Sequence, residues 1–375
     1  MEKQAVHPET GPGHHDALSE ARSFMERVFG FREFRPGQEE ILHSVLEGSD
    51  ALVIMPTGGG KSLCYQIPAF LRSGVSLVIS PLIALMKDQS DTLRVLELPV
   101  EAVHSHLSLK EQEAALERIA SGKARLVYAS PERLRSSQFM QALLRNRISM
   151  VAVDEAHCIS QWGHDFRPDY LRIKRAVERM GAPQTLALTA TATAKVRSDI
   201  IEQLRLKAPR VFVTGFDRRN LFWEVLRVRG QKEKLAVLAE RLSGGRSGGS
   251  IIYTGTRKNV DRIAGKLRES GIDAGAYHAG MDKDERSAVQ EAFLTGSKRV
   301  VVATNAFGMG IDRPDIRMVI HHTFPGTLEA YYQESGRAGR DGAPATCLLL
   351  YSPEDRSLQE FFIEARYPSQ GTVLS

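Results

Sequence analysis

Ala51-Leu52-Val53-Ile54-Met55 runs into Pro56-Thr57-Gly58-Gly59-Gly60-Lys61-Ser62, and a helical pattern opens at Leu63. An apolar run, a glycine-rich turn and a helix start read as strand, loop and helix N-terminus. In that order the backbone N–H groups of the loop converge on phosphate oxygens, and the helix dipole adds positive potential. Thr57, Gly58, Gly59 and Gly60 would form the cradle, Lys61 would reach the β- and γ-phosphates, and the Ser62 hydroxyl would ligate Mg²⁺. The strict GxxxxGK[ST] pattern fails because Met55 occupies the first glycine position, yet every group with a mechanical role is kept. A chance glycine turn would not need a strand before it and a helix after it.

The flanking sequence repeats this alternation. Ala51–Met55, Val75–Ser80, Leu126–Ala129, Met150–Val153 and Leu186–Leu188 are short apolar runs, separated by amphipathic stretches such as Leu82–Leu96 and Leu109–Ser121. Continuously apolar strands suit a sheet covered on both faces, and alternation with helices predicts a parallel, doubly wound α/β sheet. After about residue 215 the pattern restarts, with strand candidates Leu221–Val228, Ser250–Tyr253, Ala274–Tyr277, Arg299–Ala303, Met318–His321 and Thr346–Leu350. A chain of 375 residues, at about 150 residues per domain, also predicts two domains. The division expected is a tail over 1–16, a first α/β domain over 17–214 that binds the nucleotide, and a second over 215–375, with a mobile loop at Ser243–Ser250. Two similar halves suggest a nucleotide cleft between them.

Composition excludes several classes. Hydrophobic residues make up 42% and charged residues 25%, so the chain is neither disordered nor fibrous. No apolar run approaches the ~18 residues a membrane helix needs. The polar segment Met1–Asp16, with Pro8, Gly11, Pro12 and Gly13, lacks the apolar core of a signal peptide and reads as a frayed tail. Fifty basic against 45 acidic side chains give +5, which permits a polyanionic partner without arguing for one. Cys64, Cys158 and Cys347 form no CxxC pair, so neither a cysteine zinc site nor a disulfide framework is expected, and a reduced, intracellular setting fits best.

Two further stretches carry chemistry. Met150–Val153 leads into Asp154-Glu155-Ala156-His157, and carboxylates at the carboxyl end of a strand stand where α/β sheets bind ligands. There Asp154 can hold Mg²⁺ and Glu155 can polarise an attacking water. Far downstream lies Gln333-Glu334-Ser335-Gly336-Arg337-Ala338-Gly339-Arg340-Asp341-Gly342. Arg337 and Arg340 are three apart, so on one helical turn they would share a face and present two guanidiniums to γ-phosphate charge.

Taken together, these motifs resemble the RecQ family of DNA helicases within superfamily II, over most of the chain from about Phe29 to Tyr351. The resemblance implies two tandem RecA-like domains. Phe31 and Phe34-Arg35-Pro36-Gly37-Gln38 look like the family's adenine-recognition motif, with Phe31 stacking on the base, Gln38 bonding its edge and Arg35 supporting the nucleotide. Ser80-Pro81-Leu82 and Ser130-Pro131-Glu132-Arg133 resemble motifs Ia and Ib, which puts Ser80 and Arg133 on DNA. Asp154–His157 is the DEAH form of motif II, and Thr189-Ala190-Thr191-Ala192 is similar to motif III. Ser160-Gln161-Trp162-Gly163-His164-Asp165-Phe166-Arg167-Pro168 resembles the RecQ aromatic-rich loop, implying DNA contacts at Trp162, His164, Phe166 and Arg167. Ile252–Thr254 and Tyr277–Gly280 resemble motifs IV and IVa, Ala303–Asp312 motif V and Gln333–Gly342 motif VI. In motif V, Thr304 and Asn305 are expected on DNA phosphates, with Gly310 and Asp312 on the nucleotide.

The implied activity is an ATP-dependent DNA helicase, using ATP and Mg²⁺ and moving 3′→5′ on single-stranded DNA. The implied partners are single-stranded, tailed or forked DNA in recombination and repair, in the cytoplasm. Many relatives continue into a four-cysteine zinc subdomain and a winged helix; here a final helix is expected over Glu354–Tyr367, and no zinc in this chain. Three other readings stay open at this point: an RNA helicase of the same superfamily, a DNA translocase that separates no strands, and a binding module with a degenerate nucleotide site.

Overall fold

The structure is a computed structural model that describes residues 14–366 except 106, 164, 216, 245–246, 309–310 and 312. The chain divides into two compact units, meeting in sequence between Phe216 and Asp217. Among the described residues, no helix is long and apolar enough to cross a membrane.

The first unit is built on seven strands: β1 (Ala51–Ile54), β2 (Val75–Ile79), β3 (Val100–Val103), β4 (Leu126–Ala129), β5 (Ile148–Val153), β6 (Gln184–Thr189) and β7 (Arg210–Val213). They pair in the order β3-β4-β2-β5-β6-β1-β7, and every pairing is parallel. The second unit carries β8 (Leu221–Arg227), β9 (Gly249–Tyr253), β10 (Ala274–Tyr277), β11 (Val300–Ala303), β12 (Ile316–His321) and β13 (Ala345–Tyr351), ordered β10-β11-β9-β12-β13-β8 and again wholly parallel.

Both sheets are covered on both faces, which is why their strands read as unbroken apolar runs. Successive side chains of a strand point to opposite faces. Leu52 and Ile54 therefore enter one core cluster of the first unit while Ala51 and Val53 enter the other. Ile251, Val301 and Val319 likewise line one face of the second sheet, and Ile252, Val302 and Ile320 the opposite one.

Every strand expected from the sequence is present, with ends shifted by a residue or two, but β3 and β7 were not among them. The final helix runs Asp355–Arg366. Of the expected tail, residues 1–13 lie outside the described residues, while 14–16 open the helix His14–Phe24 instead of fraying. Leu18, Ala21 and Phe24 pack with Met25, Leu42 and Ile67, and this apolar contact holds the helix down. Of the expected mobile loop Ser243–Ser250, Ser243 ends a helix and Gly249 and Ser250 open β9; 245–246 lie outside the described residues.

Candidate functional site

Because all seven strands of the first sheet are parallel, their carboxyl ends share one edge, and the loops that leave them gather there. β1 delivers the phosphate loop, β2 delivers Ser80, β5 delivers Asp154 and Glu155, and β6 delivers Thr189–Ala192.

The loop is shaped by backbone that only glycine adopts without strain. Gly60 has φ +86°, and a Cβ there would stand 2.3 Å from Gln38 Nε2. Gln38 is buried and links two segments: its Oε1 accepts from Arg35 N–H at 2.7 Å, and its Nε2 donates to Gly60 O at 3.0 Å. The Arg35 guanidinium donates to Gly58 O. Both residues expected on the nucleotide thus also brace the phosphate loop directly. Phe31 is half exposed. Lys61 Nζ donates to Met55 O at 2.9 Å and Pro56 O at 3.2 Å, folded back over the loop's entry. The helix that follows, Leu63–Leu71, has no acidic side chain in its first turn to offset its positive end.

The acid pair faces this loop's edge of the sheet. Asp154 is almost fully buried; its Oδ1 accepts from Glu155 N–H at 3.0 Å and its Oδ2 from Ser80 Oγ at 3.3 Å. Burial, and then the neighbouring Glu155 carboxylate, push the Asp154 carboxyl well above the usual carboxylate range, with Lys61 pulling the other way. Glu155 adopts φ +48°, a left-handed conformation that strains a residue with a Cβ. Among the described residues its buried Oε2 accepts no hydrogen bond; His157 Nδ1 stands 3.4 Å away. Two adjacent carboxylates, one raised by its surroundings and one with an unanswered oxygen, form a donor set suited to a hard divalent cation. His157 Nδ1 and Thr189 Oγ1 lie 2.8 Å apart, tying the acidic segment to the end of β6.

Ser80, expected on a DNA strand, is buried with its hydroxyl on Asp154. Arg133, also expected on DNA, spends its guanidinium inside the unit, donating to Gln112 Oε1 at 2.9 Å and His104 O at 2.8 Å. The loop after Asp154–His157 does present an aromatic side chain: Trp162 is 64% exposed. Phe166 and Arg167 are half-buried, and Arg167 pairs with Asp165 at 3.0 Å. His164 lies outside the described residues. Tyr170, which the sequence reading missed, closes this segment: its buried hydroxyl donates to Asp154 O at 2.9 Å, so the loop and the acid share an anchor.

In the second unit the arginines do not share a helical turn. Helix Leu328–Ser335 ends before them, and Arg337 and Arg340 lie in the turns that follow, where Gly336 and Gly339 interrupt the helix. Arg337 is buried and donates to Gly308 O; a Cβ on Gly308 would meet Arg337 Nη2 at 2.8 Å. Arg340 is half-buried. Tyr253 Oη donates to Phe307 O at 2.7 Å, and His321 Nε2 meets Glu334 Oε2 at 2.8 Å. The arginine turn is also gripped from the unit's first residues: Arg218 donates to Ala338 O at 2.9 Å and Gly339 O at 2.8 Å, and Asn220 Nδ2 to Gly339 O at 2.8 Å and Ala343 O at 2.9 Å. Such side chain-to-carbonyl ties leave no periodic trace in a sequence, so Arg218 and Asn220 went unread. Thr304 is half-buried and Asn305 exposed in the turn after β11; Gly310 and Asp312 lie outside the described residues.

Comparison with known proteins agrees with this geometry. Residues 35–200 match the DEAD/DEAH box helicase family and residues 233–342 the helicase conserved C-terminal domain. The chain is 45% identical to the ATP-dependent DNA helicase RecQ of Bacillus subtilis over 92% of its length and 58% of the relative's. It is 45% identical to the RecQ of Pasteurella multocida over 89% of its length and 52% of the relative's. It thus spans about half the length of these relatives. Among solved structures it is similar to Saccharomyces cerevisiae Dbp5 bound to RNA and ADP BeF3, with a TM-score of 0.70 at 17% identity, covering 94% of this chain and 93% of that one. It is also similar to Mycobacterium smegmatis helicase Lhr bound to ssDNA and AMP-PNP, with a TM-score of 0.71 at 21% identity, covering 90% of this chain and 48% of that one. At such identities the structural likeness speaks for the fold, two RecA-like domains in tandem. With the phosphate loop, the DEAH acids, the aromatic loop and the arginine turn in this order, the chain belongs to the RecQ family of superfamily II helicases.

Proposed function

We propose that this chain is an ATP-dependent DNA helicase, coupling ATP hydrolysis to movement along single-stranded DNA and to separation of a duplex. The observation that carries the reading is the pairing of Asp154 and Glu155 at the sheet edge that also holds Lys61 and Ser62. Phe31, Arg35 and Gln38 take the adenine end, and Thr57–Ser62 take the phosphates, with Gly310 and Asp312 as further nucleotide contacts. Ser62 and Asp154 would hold Mg²⁺, which supplies positive charge to the phosphate oxygens. Glu155, whose Oε2 has no hydrogen-bond donor among the described residues, accepts from the attacking water and orients it. Arg340, with Arg337 bracing its turn, answers the charge on the γ-phosphate.

The two domains divide near residues 214–220; ATP binding favours one state of the core and hydrolysis releases it. Trp162, His164, Phe166, Arg167, Thr304 and Asn305 contact the strand. Family likeness supports 3′→5′ movement, tailed or forked DNA as substrate, and work in recombination and repair on DNA in the cytoplasm. The names of the relatives favour DNA over RNA as the strand.

The test is ATP turnover with and without single-stranded DNA or RNA, paired with strand displacement on a 3′-tailed duplex. Turnover stimulated by DNA, and displacement, are expected. Stimulation without displacement would leave a translocase, and stimulation by RNA alone would overturn the DNA assignment.

A further inference from the structure

Helix Ala194–Leu204 begins directly after the Thr189–Ala192 segment, and two of its residues, Lys195 and Asp199, lie one turn apart on the same face. Both hold the aromatic loop. Asp199 Oδ2 accepts from Ser160 Oγ at 2.7 Å, and Ser160 Oγ accepts from Trp162 N–H at 3.2 Å. Lys195 Nζ sits over the indole of Trp162, 3.0 Å from the ring centroid. Gly163 keeps the loop tight, since a Cβ there would stand 2.5 Å from His157 O. The indole is therefore exposed yet fixed, with one π-face already taken by an ammonium.

A nucleobase stacks on that same kind of face, and one face cannot serve both. We propose that Lys195 is a displaceable cap on Trp162: its ammonium orients the indole while no strand is bound, and a base takes its place when a strand arrives. This rests on the reading of Trp162 as a base-stacking residue. An exposed cation–π contact is weaker than a base stacked on indole, so the base wins. Lys195 is thus a positioning residue that sets how readily the loop responds to a strand. Its helix follows Thr189–Ala192, which meets the acidic segment through His157.

The test is a four-protein cycle of wild type, Lys195→Met, Trp162→Ala and the double variant, with Lys195→Arg as the conservative control. Two quantities are read: anisotropy of a labelled oligothymidylate without nucleotide, and ATP turnover against oligothymidylate concentration. Lys195→Met is expected to tighten binding and lower half-saturation about two- to fivefold, with the effect on half-saturation rather than on maximal rate. Lys195→Arg should behave as wild type, and the double variant should bind as Trp162→Ala does. Weaker binding by Lys195→Met, with the log–log salt slope reduced by about 0.7, would make Lys195 a phosphate contact and overturn the cap. Unchanged binding would overturn it too. If Trp162→Ala itself leaves affinity and stimulation intact, the stacking reading fails and the cap with it. If Trp162→Ala loses stimulation while Lys195→Met fails to tighten, the cap alone falls.

Discussion

The two arginines of the motif VI turn separate once their surroundings are known. Arg337 is buried with its guanidinium on Gly308 O, whereas Arg340 is half-buried at the end of the turn. Arg337→Ala leaves a carbonyl and a cavity inside the second unit and is expected to cost about 3–5 kcal/mol, seen as a lower melting temperature. Arg340→Ala should lower the melting temperature less than Arg337→Ala does and lower ATP turnover by ~10³-fold or more. Equal melting of the two variants would contradict this division. In the first unit, Lys61→Ala should reduce phosphate release by at least ~10²-fold; near-normal turnover would discard the nucleotide assignment. Lys61, Ser62, Asp154 and Glu155 could be picked out in the sequence because each stands near a strand end that the apolar pattern marks. The contacts of Ser80 with Asp154 and of Arg133 with His104 could not, because they are set by packing and not by residue type.

At the scale of elements, hydrophobic runs revealed strands only where the runs were clean. β3 carries Glu101 in its middle, a buried carboxylate answered by Arg118 Nη2 at 3.0 Å, and that charge hides the strand. β7 lies at a sheet edge with Val211 and Val213 exposed, so it lacks the apolar signature of its neighbours. The last helix shows a second kind of buried charge. Asp355, in its first turn, meets the fully buried Lys234 at 2.5 Å, and Lys234 also donates to His322 O. Lys234→Met alone should destabilise the second unit by about 3–5 kcal/mol by stranding Asp355, and adding Asp355→Leu should restore much of it. Calorimetry of the single and double variants decides. His322 in the same cluster is held down to about 3 from 6.5, by burial first and then by Lys234 and Arg262. The folded state thus refuses a proton that the unfolded chain accepts. Stability from this group is complete above about 6.5 and lost as pH falls towards 3, at up to ~1.4 kcal/mol per pH unit. His322→Gln should flatten that part of a melting-temperature profile, and an unchanged profile would assign the slope elsewhere.

Over the whole molecule, the division between Phe216 and Asp217 gives each unit its own sheet with an apolar core on each face. Each is expected to fold when expressed alone, melting in a single cooperative transition. The 1–216 fragment should still bind ATP but lose ~10³-fold in strand-stimulated turnover, because the arginine turn is absent. A fragment retaining full stimulated turnover would remove the second unit from the chemistry. The wholly parallel arrangement has a practical corollary. In the first sheet the candidate site groups leave the outgoing rim, while turns such as those at Gly48 and Gly181, where an added side chain would meet nothing within 4 Å, line the incoming one; in the second, the arginine turn itself meets the amino ends of β8 and β12, through Asn220 and Ile316. β6 alone separates Gly181 from Thr189 by about 20 Å of extended backbone. Fluorophores or affinity tags inserted beside Gly48 or Gly181, with the glycines kept because their positive φ strains any other residue, should leave ATP turnover unchanged.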